Sequence, residues 1–215
     1  MRQSLAWAPM RGLYALKPWY TRRLGVIVRA AVARGVSPDV FTVVGVVAGA
    51  GAGAAVALGW WPVALVLLVA RLGGANLDGA VARAQGTSRP WGFVLNELGD
   101  RASDLAMFAG LVVLAARTGA PADDAWWAWG DPVVWALVAA AAATLPTFAS
   151  LALAGAGGTR LNGGPFGKTE RCAVVVVATA LPAAIPAACA LVVVGSCATA
   201  AARLAHGRRQ LVAAA

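Results

Sequence analysis

The amino-acid sequence predicts an all-α, polytopic membrane protein of six transmembrane helices preceded by an amphipathic interfacial helix, and three observations carry that expectation. Of the 215 residues, 60% are hydrophobic and only 13% are charged, with a mean hydropathy of +0.72, far from the usual soluble composition. The apolar runs recur at lengths close to the ~20 residues that a membrane helix needs, which leaves room for about six spans in one domain and for no separate soluble domain. Between two of those runs, the stretch from Asn76 to Asp104 holds four acids and three arginines. An Asp near the middle of a membrane helix costs roughly 2.5–3.5 kcal/mol, so Asp78, Glu97, Asp100 and Asp104 together would cost on the order of 10 kcal/mol against lipid. They must face a shared polar cavity, an ion or one another.

Residues 1–36 are not a cleavable signal peptide, since Arg11, Lys17, Arg22, Arg23, Arg29 and Arg34 interrupt every candidate hydrophobic core. Leu13, Leu16, Trp19 and Tyr20, then Leu24, Ile27 and Val28, recur at helical spacing opposite the arginines, the pattern of a helix lying at the headgroup level. Ser37-Pro38-Asp39 is a helix start, with Ser as N-cap, Pro in the first turn and Asp beside the positive end of the helix dipole.

The first span runs over about 38–58, where Gly45, Gly49, Gly51 and Gly53 permit close helix approach. Trp60 and Trp61 mark the far interface. The second span, about 62–85, is apolar only as far as Ala70, after which Arg71, Asp78 and Arg83 place its second half in a wetter region. After the turn from Gln85 to Pro90, the third span, about 91–116, starts polar and turns apolar from Leu105, so the two polar halves meet at one depth.

Thr118 to Asp131, with Trp126, Trp127, Trp129 and three aspartates, is expected as an interfacial loop on the opposite side. The fourth span covers about 132–154 and leads into a Gly-rich basic loop, 155–171. The fifth, about 172–185, is joined by a hairpin bracketed by Pro182 and Pro186 to the sixth, about 187–205. The chain thus divides into a juxtamembrane helix (1–36), a six-span domain (37–206) and a short tail (207–215).

The formal net charge is +9. No aromatic-interleaved basic face or zinc-ligand spacing accompanies it, so no nucleic-acid partner is expected. Basic residues before span one, between two and three, between four and five, and after six all fall on one side, leaving Arg117 for the other. The positive-inside rule then puts both termini and the polar stretch on the cytoplasmic side of the cell membrane. Cys172, Cys189 and Cys197 lie in apolar sequence without a C-x-x-C pair and read as buried structural thiols. His206, the sole histidine, follows the last apolar run among arginines and reads as an interface residue, so Ser-His-Asp and Cys-His chemistry lack their parts.

The polar stretch suits a hard cation. Asn96, Asp100 and Asp104 are spaced i, i+4, i+8 and stack along one helix stripe, with Glu97 on an adjoining line. Asp78 on the neighbouring helix could complete a site for Mg²⁺ or Mn²⁺. Gly79 leaves room for a ligand beside that acid, and Arg83 and the 160–171 loop could meet phosphate oxygens. The structural alternative is an Asp–Arg network, for example Glu97 with Arg101, that locks two helices together without chemistry.

The run Asp78-Gly79-Ala80-Val81-Ala82-Arg83, then eight residues, Gly92, three residues, position 96, three residues and Asp100 resembles the signature of the CDP-alcohol phosphatidyltransferase family, D-x2-D-G-x2-A-R-x8-G-x3-D-x3-D. Gly35-Val36-Ser37-Pro38-Asp39 and Thr42 are similar to the segment with which that family enters its first span. Ala75 and Asn96 stand where the signature has its first and third Asp, and Leu95-Asn96-Glu97 followed by Asp100, Ser103 and Asp104 resembles a divergent bacterial branch.

The resemblance implies Asp78 as a metal ligand and Asp100 as ligand and general base, with Asn96, Glu97 and Asp104 as further candidate ligands. Gly79, Ala82, Arg83 and Gly92 would lie at the nucleotide and pyrophosphate. It implies metal-dependent transfer of a phosphatidyl group from a CDP-linked lipid such as CDP-diacylglycerol to an alcohol acceptor, with release of CMP. Lys168 and Arg171 are candidates for an acceptor's phosphate, or else positive-inside flank residues. The partners expected are the CDP-linked donor, the acceptor and membrane lipids, with a homodimer left open. Competing readings are a catalytically inactive relative that binds CDP-lipid or scaffolds a complex, and a small transporter.

Overall fold

The computed structural model describes residues 17–119 and 130–214, and among these no strand occurs. The elements are α1 (Lys17–Arg23), α2 (Gly25–Ala33), α3 (Pro38–Ala57), α4 (Trp61–Gln85), α5 (Pro90–Thr118), α6 (Pro132–Gly155), α7 (Lys168–Ala180) and α8 (Ile185–Ala214), with a single 3₁₀ turn at Pro182–Ala184 before α8. The all-α expectation holds, and six of these helices stand where the six spans are expected.

Among the described residues, four helical stretches are long and apolar enough to cross a membrane: Pro38–Ala57, Trp61–Gln85, Pro132–Gly155 and Pro182–Ala213. The 29-residue α5 is long enough but carries Asp100, Arg101 and Asp104. The 13-residue α7 falls short of the ~20 residues required.

The amphipathic segment is two short helices with a break at Leu24 rather than one helix, and Leu13 and Leu16 lie outside the described residues. Tyr20, Leu24, Val28 and Ala31 form its inward stripe. The Tyr20 hydroxyl donates to the Val69 carbonyl of α4 at 3.1 Å. Trp19 and Ile27, two residues of the expected apolar stripe, are exposed together with Val26.

α3 begins as its sequence requires: the Ser37 hydroxyl accepts from the Asp39 N–H at 3.3 Å, with Pro38 in the first turn. Its glycines then let α3 press against α4 and α5. A Cβ on Gly53 would lie 2.3 Å from the Ala106 carbonyl oxygen of α5, and one on Gly74 would lie 2.7 Å from the Phe41 carbonyl oxygen of α3. Side chains are excluded at both crossings, the geometry that small residues permit in membrane bundles. Gly51 differs, since its Cβ would meet only the Leu67 side chain.

α6 packs on α8, α5 leans on α6, and α7 bridges α4, α5 and α8. The core between them is built from small and aliphatic side chains such as Ala52, Val56, Leu68, Met107, Phe108, Leu111, Val175 and Val192. Asp131 caps α6 by accepting from the Val133 N–H at 2.8 Å. Residues 120–129, which hold the three tryptophans of the expected loop, lie outside the described residues. At the other end of the chain α8 continues to Ala214, so positions 207–214 extend the last helix instead of forming a separate tail.

Candidate active site between α3, α4 and α5

The polar halves of α4 and α5 are brought side by side by the short turn after Gln85, where Gly86 takes φ +67° and closes α4. α3 lies across both. The three helices enclose a cavity of about 600 Å³, lined by Asp78, Gly79, Ala82 and Arg83 from α4, Gly92 and Asn96 from α5, and Asp39 and Thr42 from α3. All four positions expected at the nucleotide and pyrophosphate therefore share one wall system. The volume lies in the range of small-molecule sites.

Asp78 is buried at the inner end. Thr42 Oγ1 donates to its Oδ2 at 3.1 Å and the Gly79 N–H to its Oδ1 at 2.5 Å. Among the described residues it has no ion-pair partner, which sets it apart from the other acids of the site. Gly79 lines the cavity, and Arg83 Nη1 would lie 3.0 Å from a Cβ at position 79, so the guanidinium lies along the α4 backbone facing the cavity.

The other expected ligands divide. Asn96 faces both the cavity and a narrow recess that it shares with Thr42, Arg71, Ala75, Asp100 and Ser103. A carboxylate at position 75 would point into that recess, in line with its place on the Asp78 face of the helix. Asp100 pairs with Lys168 Nζ and lies 3.8 Å from Arg71 Nη2. Glu97 is bound by Arg160, with Arg101 Nε 4.0 Å away. Asp104 takes Arg71 Nη2 at 2.5 Å and Arg101 Nη2 at 2.8 Å.

The ladder of oxygen ligands is thus split by arginines, and among the described residues no group of three or more Asp, Glu, His or Cys is placed to hold a metal ion. Asp78 lines the cavity, Asp100 lines the adjoining recess, and Asn96 borders both. The Asp–Arg network weighed from sequence is present, with Asp104 paired to Arg71 and Arg101; its example, Glu97 with Arg101, is a long contact, and Arg160 is the nearer partner of Glu97.

Of the two candidate acceptor residues, Lys168 reaches the site directly. Arg171 is buried beside it and donates to the Phe166 carbonyl at 3.3 Å. Arg160, whose guanidinium also stands 5.1 Å from the Phe93 ring, joins them from the preceding loop. Arg203, given no role in the sequence reading, donates to the carbonyls of Pro146 (2.6 Å), Gly163 (2.9 Å) and Asn162 (3.1 Å) and so fixes the loop before α7. Arg71 was also missed as a site residue. The signal was present for both, because an arginine inside an apolar run needs a partner.

Cys172 and Cys189 are buried free thiols as expected, whereas Cys197 is exposed. Cys172 packs into the ion-pair cluster, its Sγ 3.5 Å from Arg71 Nη1 and 3.6 Å from Asp104 Oδ1.

No family model matches the chain. The phosphatidylinositol phosphate synthase of Mycolicibacterium smegmatis is 32% identical over 171 residues, spanning 75% of this chain and 69% of that protein. The synthase of the same name from Mycobacteroides abscessus is 36% identical over 105 residues, 46% of this chain and 41% of the relative. The crystal structure of Mycobacterium tuberculosis phosphatidylinositol phosphate synthase (PgsA1) with CDP-DAG bound superposes with a TM-score of 0.64 at 24% identity, covering 87% of this chain and 92% of that one. The same protein in complex with manganese and citrate gives 0.65, with coverages of 85% and 87%. These structures share the fold. With the signature residues lining one cavity and a curated synthase matched over more than two thirds of its length, the chain belongs to the CDP-alcohol phosphatidyltransferase family.

Proposed function

We propose that this protein transfers the phosphatidyl group of CDP-diacylglycerol to a phosphorylated alcohol and releases CMP, as a step of phospholipid biosynthesis. The observation that carries the reading is the cavity itself. It holds Asp78, the acid without an ion-pair partner among the described residues of the site, and the Arg83 guanidinium along its wall, next to an Asp100 that pairs with Lys168 and lies 3.8 Å from Arg71 Nη2. Arg83 binds the donor's pyrophosphate through charge-assisted hydrogen bonds, with Gly79, Ala82 and Gly92 forming the small-residue floor beneath the nucleotide.

The donor set fits a divalent cation, Mg²⁺ or Mn²⁺. Asp78 and Asp100 with the Asn96 carbonyl are hard oxygen donors of the kind such ions take, completed by substrate phosphates. When bound, the ion supplies positive charge at the pyrophosphate.

Asp100 accepts the proton of the acceptor hydroxyl. The acceptor oxygen forms a bond to the lipid-side phosphorus, the bond from that phosphorus to the bridging oxygen breaks, and CMP departs with the electron pair. Lys168, the partly exposed member of its ion pair, moves to the acceptor's phosphate beside Arg171. The relatives' name suggests a phosphorylated inositol as that acceptor.

Six spans fit the molecule, with α1 and α2 lying at the interface. The ionisable groups of α5 turn inward to Arg71, Arg160 and Lys168, while Leu98, Leu105 and Val113 of the same helix face outward. The one-sided arginines support a cavity and termini on the cytoplasmic side of the plasma membrane.

The test is CMP release by the purified protein from CDP-diacylglycerol with Mg²⁺ or Mn²⁺, comparing inositol phosphate, inositol and glycerol phosphate. Turnover with a phosphorylated alcohol is expected. CDP-lipid binding with no CMP release from any acceptor would identify an inactive relative, the reading that Ala75 and Asn96 favour.

A further inference from the structure

Arg71 touches no reacting group in the chemistry just described, yet among the described residues it is the most deeply buried charge, 1% exposed. It sits on α4 four residues before Ala75 and seven before Asp78, so the three share one helix stripe. Its guanidinium reaches across to α5 and α7: Nη2 donates to Asp104 Oδ1 at 2.5 Å and to the Asp100 carbonyl at 3.1 Å, and Nη1 to Cys172 Sγ at 3.5 Å. It also lines the recess between α3, α4 and α5 into which side chains at positions 75 and 96 point. A positive charge is therefore built in beside Asp100, at the place where two carboxylates would be needed to hold a second ion.

Charge balance leads the same way. Glu97, Asp100 and Asp104 are joined through ion pairs to Arg71, Arg101, Arg160 and Lys168, and Asp78 is the remaining acid. With Arg83 on the cavity wall and Arg171 buried beside Lys168, the four acids face six cations. A second divalent ion, set beside Arg71 in a buried recess that already carries an excess of positive charge, would stay uncompensated at large electrostatic cost.

We propose that Arg71 acts as a resident cation in place of a second divalent ion, so that this enzyme works with a single Mg²⁺ or Mn²⁺ held by Asp78 and Asp100. Arg71 is a positioning residue in this scheme. It holds Asp100 in place from the protein side, whereas the partly exposed Lys168 is free to leave Asp100 when substrate and metal arrive. The inference rests on the phosphatidyltransferase reading, and its test keeps the two apart.

The experiment counts Mn²⁺ bound per chain by electron paramagnetic resonance, with CDP-diacylglycerol present, in the purified wild type and two variants. The wild type should bind one ion with the spectrum of an isolated centre. The double variant Ala75→Asp/Asn96→Asp should take a second ion only weakly. Adding Arg71→Met to that pair should tighten the second site by about a hundredfold, the effect of removing a nearby like charge, and give the coupled spectrum of two ions roughly 4 Å apart.

Two ions in the wild type, or equal second-site affinity with and without Arg71, would overturn the proposal and leave the enzyme reading intact. No bound ion in the wild type would overturn the metal-dependent reading and this proposal with it. Should the triple variant fail to fold, Arg71→Lys in the double-variant background decides: the retained charge must keep the second site weak, and a tight second ion there sinks the idea.

Discussion

Gly53→Ala should cripple the enzyme although the residue lies outside the cavity. The new Cβ would sit 2.3 Å from the Ala106 carbonyl oxygen and 2.6 Å from its carbonyl carbon, whereas an ordinary C···O contact is about 3.3 Å. Both partners are backbone. From the other side a Cβ on Gly110 would lie 2.1 Å from the Gly53 carbonyl oxygen, so no rotamer change relieves the clash. α3 and α5 must part by about 1 Å, an overpacking cost of roughly 1–3 kcal/mol.

Asp100 lies six residues from Ala106 on the same helix, about 9 Å along its axis, and Thr42, which holds Asp78, lies on the helix being pushed. A shift of ~1 Å in the geometry of a reacting group can cost on the order of 10²-fold in rate. The assay pairs CMP release with a thermal melt in detergent. Gly51→Ala, which meets only the Leu67 side chain, and Gly155→Ala, with nothing within 4 Å, are the controls and should stay near wild type. If Gly53→Ala keeps the activity and melting temperature of those controls, the claim that this crossing sets the site geometry is refuted.

Asp78→Asn and Asp100→Asn should each lower CMP release by at least about 10²-fold, the usual scale for losing a charged or proton-transferring group, with melting temperatures close to wild type. Near-normal turnover in either would remove that residue from the site. Arg203→Met should destabilise the protein by roughly 4.5 kcal/mol or more, since hydrogen bonds from charged donors contribute about 1.5–3 kcal/mol each and three carbonyls lose theirs; an unchanged unfolding curve would contradict its loop-fixing role. With the native thiols replaced, a cysteine at Thr87 should be labelled from the cytoplasmic side and one at Leu58 from the other. The reverse pattern would invert the topology.

Helix positions were legible because each is written locally. Ser37-Pro38 starts α3 with the expected cap, Trp60-Trp61-Pro62 opens α4, and Pro132 opens α6. The signature spacing also brought Asp78, Gly79, Ala82, Arg83, Gly92 and Asn96 to one cavity as expected. Ion-pair partners were not legible. Spacing on α5 places Asn96, Asp100 and Asp104 on one stripe, but it says nothing of the arginines that arrive from α4 and from the loop before α7 over sequence separations of 33 and 63 residues.

Those partners turn Glu97 and Asp104 away from a shared ion. The end of α8 was misplaced for a different reason: a helix can continue past its apolar run when its polar turns find contacts. Gln210 supplies one by accepting from the Thr159 hydroxyl at 2.8 Å. Gly207 supplies another, where a Cβ would lie 2.4 Å from the Leu153 side chain.

The central claim is a transfer, and the most direct measurement is the ratio of lipid product to CMP. Purified protein incubated with CDP-diacylglycerol, a divalent cation and inositol phosphate should form one phosphatidyl-linked product, identified by mass, for each CMP released, and neither should form without the acceptor. CMP released with no new lipid would mean that water is the acceptor, and the absence of both, with CDP-lipid still bound, would contradict the account.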